Sequence, residues 1–138
     1  MLEQIPIFSG LSNAEISKLE LFCQERYIKS SEVLFGEWDD ASALYIVKEW
    51  KLKVYKDRSD GEITLWFVEK GGIVWEMAIF EAMENTHKKR MASVKAAENT
   101  YLIVIMNYSI MDLSKKYTEI YEKILKIIKE RREMNDNF

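Results

Sequence analysis

Reactive and structural specialists are scarce in this chain of 138 residues: one cysteine, one histidine and no sustained apolar run. A lone Cys23 cannot form an internal disulfide, which makes the reduced cytosol the simpler setting. One His and one Cys do not supply the ligands of an all-protein zinc site. No apolar stretch approaches the ~20 residues needed to cross a bilayer. Met1-Leu2-Glu3-Gln4 lacks the charged and apolar regions of a signal peptide, so no membrane association is expected. Excess basic charge is missing too: the net charge of −3 argues against a broad nucleic-acid surface. There is no Gly-x-Ser-x-Gly elbow and no Walker-type glycine loop. The acids Asp39-Asp40 lie in an expected turn without a partner histidine. The chain is therefore not expected to be an enzyme. No internal repeat or low-complexity segment is present.

What remains is ordinary for a soluble domain, 48% hydrophobic and 31% charged, and long enough to bury one core. Ser12 and Glu15 have capping-box spacing, with Leu11 and Ile16 placed as a hydrophobic staple. Ile16, Leu19, Phe22 and Cys23 then mark one face of a helix over about residues 13–23. Phe8 and Leu11 read as core. From Arg26 to Met106 short β-rich runs recur: Tyr27-Ile28, Val33 to Phe35, Leu44 to Val47, Leu52 to Tyr55, Ile63 to Val68, Ser93-Val94 and Tyr101 to Met106. Asp60-Gly61 signals a hairpin. Ile63, Leu65 and Phe67 alternate with Thr64 and Trp66, the pattern of a half-buried strand. Many short punctuated strands imply a sandwich or jelly roll.

Two helices are expected to close the chain. One spans about residues 109–115, capped by Asn107 or Ser109, and one about 117–134. On the second, Ile120, Ile124, Ile127 and Met134 form one stripe, and Tyr121, Leu125 and Ile128 form a second beside it. That arc is wider than a helix on a single core needs. One stripe is expected to cover the roll and the Ile120, Ile124, Ile127 stripe to meet a partner helix, giving a homodimer. The alternative is one broad stripe packed on its own domain.

The stretch from Gly71 to Val94 has the most chemical content. Gly71-Gly72 makes a turn, Glu76-Met77-Ala78-Ile79-Phe80 is a short apolar segment led by one acid, and His87-Lys88-Lys89-Arg90 ends an exposed loop. The short segment is too brief for an isolated helix and must lean on neighbours. Free N–H groups at such a start favour an anion. With the Arg90 fork and the Glu76 carboxylate nearby, the group suits a ligand carrying one phosphate and one hydroxyl. Taken alone, Arg90 ends a basic run that would ordinarily be a solvated face, and Glu76 an acid suited to a helix start. Met77 and Met91 read as packing.

The same stretch resembles the phosphate-binding cassette of the cyclic nucleotide-binding domain family, and the likeness extends over almost the whole chain, including Phe8-Ser9-Gly10-Leu11-Ser12 before the first helix. The resemblance implies a mainly β fold with flanking helices. This is a double-stranded β-helix, or eight-stranded jelly roll, with an N-terminal helical segment (1–25), a β-roll (26–106) holding the cassette (71–94), and two C-terminal helices (107–138). It implies a cytoplasmic, bacterial-type regulatory sensor that binds cAMP or cGMP and signals to an effector protein of unknown identity. Glu76 falls on the family glutamate that holds the ribose hydroxyl, Arg90 on the arginine that pairs with the cyclic phosphate, and Ala92 on the alanine whose backbone faces that phosphate. The implied ligand-binding set is Val74, Trp75, Glu76, Met77, Ala78, Arg90, Met91 and Ala92.

Departures from the family pattern are specific. Met91 stands where the family has Ser or Thr, which removes a hydroxyl. Trp38, Trp50 and Trp75 stand where the family has turn glycines, Trp50 in an expected hairpin turn. Three replacements by one residue type point to a UGA codon, which different genetic codes read as Gly or Trp. An alternative function follows from Trp75 and Met91: a degenerate domain that acts as a protein-interaction module without nucleotide. No DNA-binding, channel or kinase segment is recognisable, so a stand-alone sensor is expected.

Overall fold

The computed structural model describes residues 2–5, 8–36, 43–74 and 92–135. A 3₁₀ turn, Leu2–Gln4, precedes helix α1 (Asn13–Glu20). The strands are β1 (Gln24–Ile28), β2 (Val33–Phe35), β3 (Ala43–Glu49), β4 (Lys51–Arg58), β5 (Gly61–Glu69), β6 (Ile73–Val74), β7 (Ser93–Ala96) and β8 (Thr100–Met106). Helices α2 (Asn107–Lys116) and α3 (Thr118–Asn135) follow. The strands form two antiparallel sheets, ordered β1-β8-β3-β6 and β2-β7-β4-β5. This is the expected jelly roll with flanking helices.

Strand alternation divides the apolar residues between two cores. On β3, Ala43, Tyr45 and Val47 point between the sheets, while Leu44 and Ile46 point to the helices. On β8, Leu102 and Val104 point inward and Ile103 and Ile105 outward. The inward set meets Leu52, Val54, Val94 and Ala96 of the other sheet. The outward set is covered by Leu2, Ile5 and Phe8, by Ile16 and Leu19 of α1, and by Ile110, Leu113, Ile120 and Ile124 of α2 and α3. A sheet buried on both faces needs strands apolar throughout, which explains the unbroken Leu44 to Val47 and Leu102 to Ile105 runs. Fully burying each such side chain contributes about 1.5–3 kcal/mol.

The capping box at α1 is as expected. The Glu15 amide donates to Ser12 Oγ at 3.1 Å, and the Ser12 amide donates to Glu15 Oε1 at 3.0 Å. Lys123 of α3 donates to both Glu15 oxygens at 3.0 Å, which ties the first helix to the last. At α2 the expected caps are not used: Asn107 is already the first helical residue, and the N-cap is Met106, without a side-chain cap bond. The strand β8 runs directly into the helix, so no polar cap residue intervenes.

Three further expectations change. The stripe assigned to a partner helix faces its own chain: Ile120 and Ile124 are buried in the helix-side core and Ile127 packs against it, with Tyr121 beside them. The chain's own sheet and helices cover these four residues. Ile63, Leu65 and Phe67 do not share one face of β5. A bulge lets Val54 pair with Trp66 and Tyr55 with Thr64, leaving Leu65 over. Ile63 then registers with Lys56 and Phe67 with Lys53, positions of opposite parity on β4. Trp50 is not in a hairpin either: β3 and β4 belong to different sheets, so it lies where the chain crosses between them. The Asp60-Gly61 hairpin does form, with Arg58 opposite Gly61 at φ +125°.

Candidate functional site

The Gly71-Gly72 turn is built as its sequence requires. Gly71 has φ +85°, the left-handed region that costs a glycine little. A Cβ on Gly72 would lie 2.6 Å from Val68 Cγ1 and 2.9 Å from the Glu69 carbonyl oxygen, so a larger residue would displace the strand it follows. The turn is pinned to β3 from both sides. The Gly71 N–H donates to the Val47 carbonyl at 2.8 Å, and the Val47 N–H donates to the Gly72 carbonyl at 2.9 Å. The Gly72 N–H returns to the Glu69 carbonyl at 2.8 Å. These bonds fix where β6 starts alongside β3.

Of the expected ligand residues, Val74 and Ala92 are placed. Val74 pairs with Tyr45 in the β1-β8-β3-β6 sheet. Ala92 leads into β7 of the other sheet, where Ser93 lies opposite Tyr55. Both are buried in the core between the sheets. Trp75, Glu76, Met77, Ala78, Arg90 and Met91 lie outside the described residues, as do Trp38 and Asp39-Asp40. The two placed residues therefore anchor the ends of the 75–91 segment in one apolar core, one end in each sheet.

One residue on the inward face of the edge strand β5 stays half-exposed, which the sequence pattern did not reveal. Trp66 registers with Val54, and Val54 with Val94 on β7. Val54 and Val94 are buried, yet Trp66, on the same face as both, is 48% exposed. Ala92 stands two residues from Val94 on β7. From β7 to β5 is two strand spacings, roughly 10 Å. The bulge at Leu65 hid this, because alternation alone put Trp66 on the face opposite Ile63.

A charged group covers the outer face of the same sheet. Lys95 and Lys53 donate to Glu62 at 2.6 and 3.0 Å, and their ammonium groups lie 4.8 and 5.8 Å from the Tyr55 ring centroid. The Lys95 hydrogen bond, then that of Lys53, holds the Glu62 carboxyl below its ordinary range, and Glu62 in turn raises Lys95. These residues alternate with the inward Leu52 and Val54 and do not face the core. Among the described residues no cluster of His, Cys, Asp and Glu could hold a metal ion. No helix among them is long and apolar enough to cross a membrane.

A family profile described as cyclic nucleotide-binding domain matches residues 25–117. The chain belongs to the cyclic nucleotide-binding domain family. It is 27% identical over 137 residues to a protein of Rhodopseudomonas palustris named as a potassium channel, covering 99% of this chain and 32% of that one. It is 24% identical over 127 residues to the cyclic AMP receptor protein of Thermus thermophilus, covering 91% of this chain and 56% of the relative. In both cases the chain spans well under two thirds of the curated relative. A solved cyclic nucleotide-binding domain from Methylobacillus flagellatus superposes with a TM-score of 0.81 at 23% identity, covering 97% of this chain and 79% of that one. That likeness supports the fold.

Proposed function

We propose that this cyclic nucleotide-binding-family domain is a regulatory sensor whose ligand is a 3′,5′-cyclic purine nucleotide, cAMP or cGMP. In this reading Glu76 accepts from the ribose hydroxyl, Arg90 pairs with the cyclic phosphate, and the backbone at Ala92 faces that phosphate. The Gly71-Gly72 turn carries the reading: a positive-φ glycine and a Cβ-free glycine start β6, the two-residue strand that leads into the candidate residues. The buried Val74 and Ala92 support it by fixing both ends of the 75–91 segment. The half-exposed Trp66 suits a purine ring two strands from Ala92. Occupancy would be transmitted to an effector protein through the C-terminal helices, which rest on the sheet that carries β6.

Calorimetric titration with cAMP and cGMP tests this, using the chain and its Arg90→Ala variant. Removing one partner of a desolvated charge pair costs about 2–5 kcal/mol, so Arg90→Ala should weaken binding by at least tenfold while the melting curve stays unchanged. Equal binding by the variant would place Arg90 on a solvated loop. The second reading, an interaction module that has lost its ligand, is favoured by Trp75 and Met91. Absence of binding by both the chain and Trp75→Gly would select it.

A further inference from the structure

Trp50 sits at φ +74°, the left-handed region in which a Cβ crowds the following carbonyl and glycine is the favoured residue. The other described non-glycine residue in that region is Ser31, at φ +72°; for a residue as large as tryptophan the conformation is a genuine outlier. The indole is 60% exposed, so burial does not offset the strain. The fold imposes the conformation. Glu49 ends β3 opposite Tyr101 in one sheet, and Lys51 starts β4 opposite Glu69 in the other. Residue 50 alone turns the chain between them. The corner is tied on its far side, because the Lys51 carbonyl accepts from the Ala97 N–H at 3.1 Å and lies 2.9 Å from the Thr100 hydroxyl, whose one hydrogen it shares with the Glu98 carbonyl at 2.7 Å. Relaxing φ at residue 50 would break those bonds.

We infer that position 50 is glycine in the protein as its own source makes it, and that tryptophan stands there because a UGA codon was read in a code that assigns it to tryptophan. Trp38 and Trp75, which also stand at turn sites in the sequence, come from the same codon. Composition agrees: five glycines in 138 residues is about half of the usual ~7%. At position 75 the inference bears on the proposed nucleotide site and there rests on that reading, since a glycine has no side chain to compete with a ligand.

The gene decides it. The codons at 38, 50 and 75 should be UGA, and the unaltered gene in a standard-code host should yield only a fragment ending before residue 38. Peptide masses from the source organism should show glycine at all three positions. UGG at position 50, or tryptophan in that peptide, overturns the inference. Two variants give an independent check. Trp50→Gly should raise the melting temperature by a few degrees, whereas Trp50→Ala, which keeps the Cβ, should not; a fall with Gly, or an equal rise with Ala, counts against it. The two readings fail separately. Glycine at these positions with no nucleotide binding by Trp75→Gly would leave the inference standing and end the proposed function, while UGG codons with tight cAMP binding would do the reverse.

Discussion

At the scale of single residues, the fold sets properties that residue type alone does not. Cys23 is an example. Its thiol donates to the Leu19 carbonyl at 3.4 Å, and burial first, with Glu20 second, pushes its pKa up to about 12 from an ordinary 9.0. The thiolate is the reactive form, so the folded chain should resist iodoacetamide at pH 8. A pKa raised by folding contributes stability that is complete below the unfolded value of 9.0 and is lost as pH rises toward the folded value. Labelling should accelerate on adding denaturant, and fast labelling of the native chain would show that the thiol is not enclosed. The sequence grouped Cys23 with Ile16 and Leu19 on a helix over about residues 13–23; the helix ends at Glu20, and Cys23 packs against the same core from the segment that follows it. The resemblance flagged Trp50 as a turn-glycine position but put it in a hairpin, because its true place depends on which sheet each flanking strand joins.

At the scale of elements, α1 and α3 show how far local chemistry reaches. Ser12 and Glu15 were legible as a cap because the signal lies within four residues. The bond from Lys123 to Glu15 spans the chain and was not. Glu15 is held below its ordinary 4.5, first by the Ser12 backbone N–H and then by Lys123. A lowered carboxylate contributes stability above its unfolded pKa and loses it as pH falls through the folded value. Acid unfolding below about pH 4.5 should therefore become less steep in Lys123→Met, read by far-UV circular dichroism across an acid series. An unchanged profile would mean that the exposed pair contributes nothing measurable. The hydrophobic arc of α3 was legible as an arc, but its partner was not, since periodicity gives width and not what covers it. Ile124 is 7% exposed within its own core, so Ile124→Glu buries an unpaired carboxylate. We expect a loss of about 3 kcal/mol or more in denaturant melts at any protein concentration. A stable variant that differs from the parent only in sedimentation would restore the partner-helix reading.

At the scale of the whole molecule, two cores share one sheet, and that decides how the chain unfolds. β3 and β8 contribute alternate residues to the helix-side core and to the roll interior. A strand cannot keep Ile46 buried while releasing Val47, because adjacent side chains are fixed to opposite faces by one backbone. Seven of the eight strands of the described fold were legible as short β-rich runs; β6 (Ile73–Val74) was not among them, and the eight-stranded roll came from the family resemblance. The division of the strands into two sheets was not legible, since β3 and β4 are neighbours in sequence and separate in space. The shared sheet predicts a single cooperative transition despite two cores. Ile46→Ala removes packing only from the helix side and Val47→Ala only from the interior. Each should lower stability, Ile46→Ala by about 2–5 kcal/mol, and each should move the entire transition. Far-UV circular dichroism, which follows the helices and strands, and tryptophan emission, which includes the half-exposed Trp66, should stay coincident in both variants. If Ile46→Ala shifts the helical signal and leaves the emission transition in place, the helices are an independently melting layer. The proposed route from the nucleotide site to the C-terminal helices would then lack the rigid sheet it depends on.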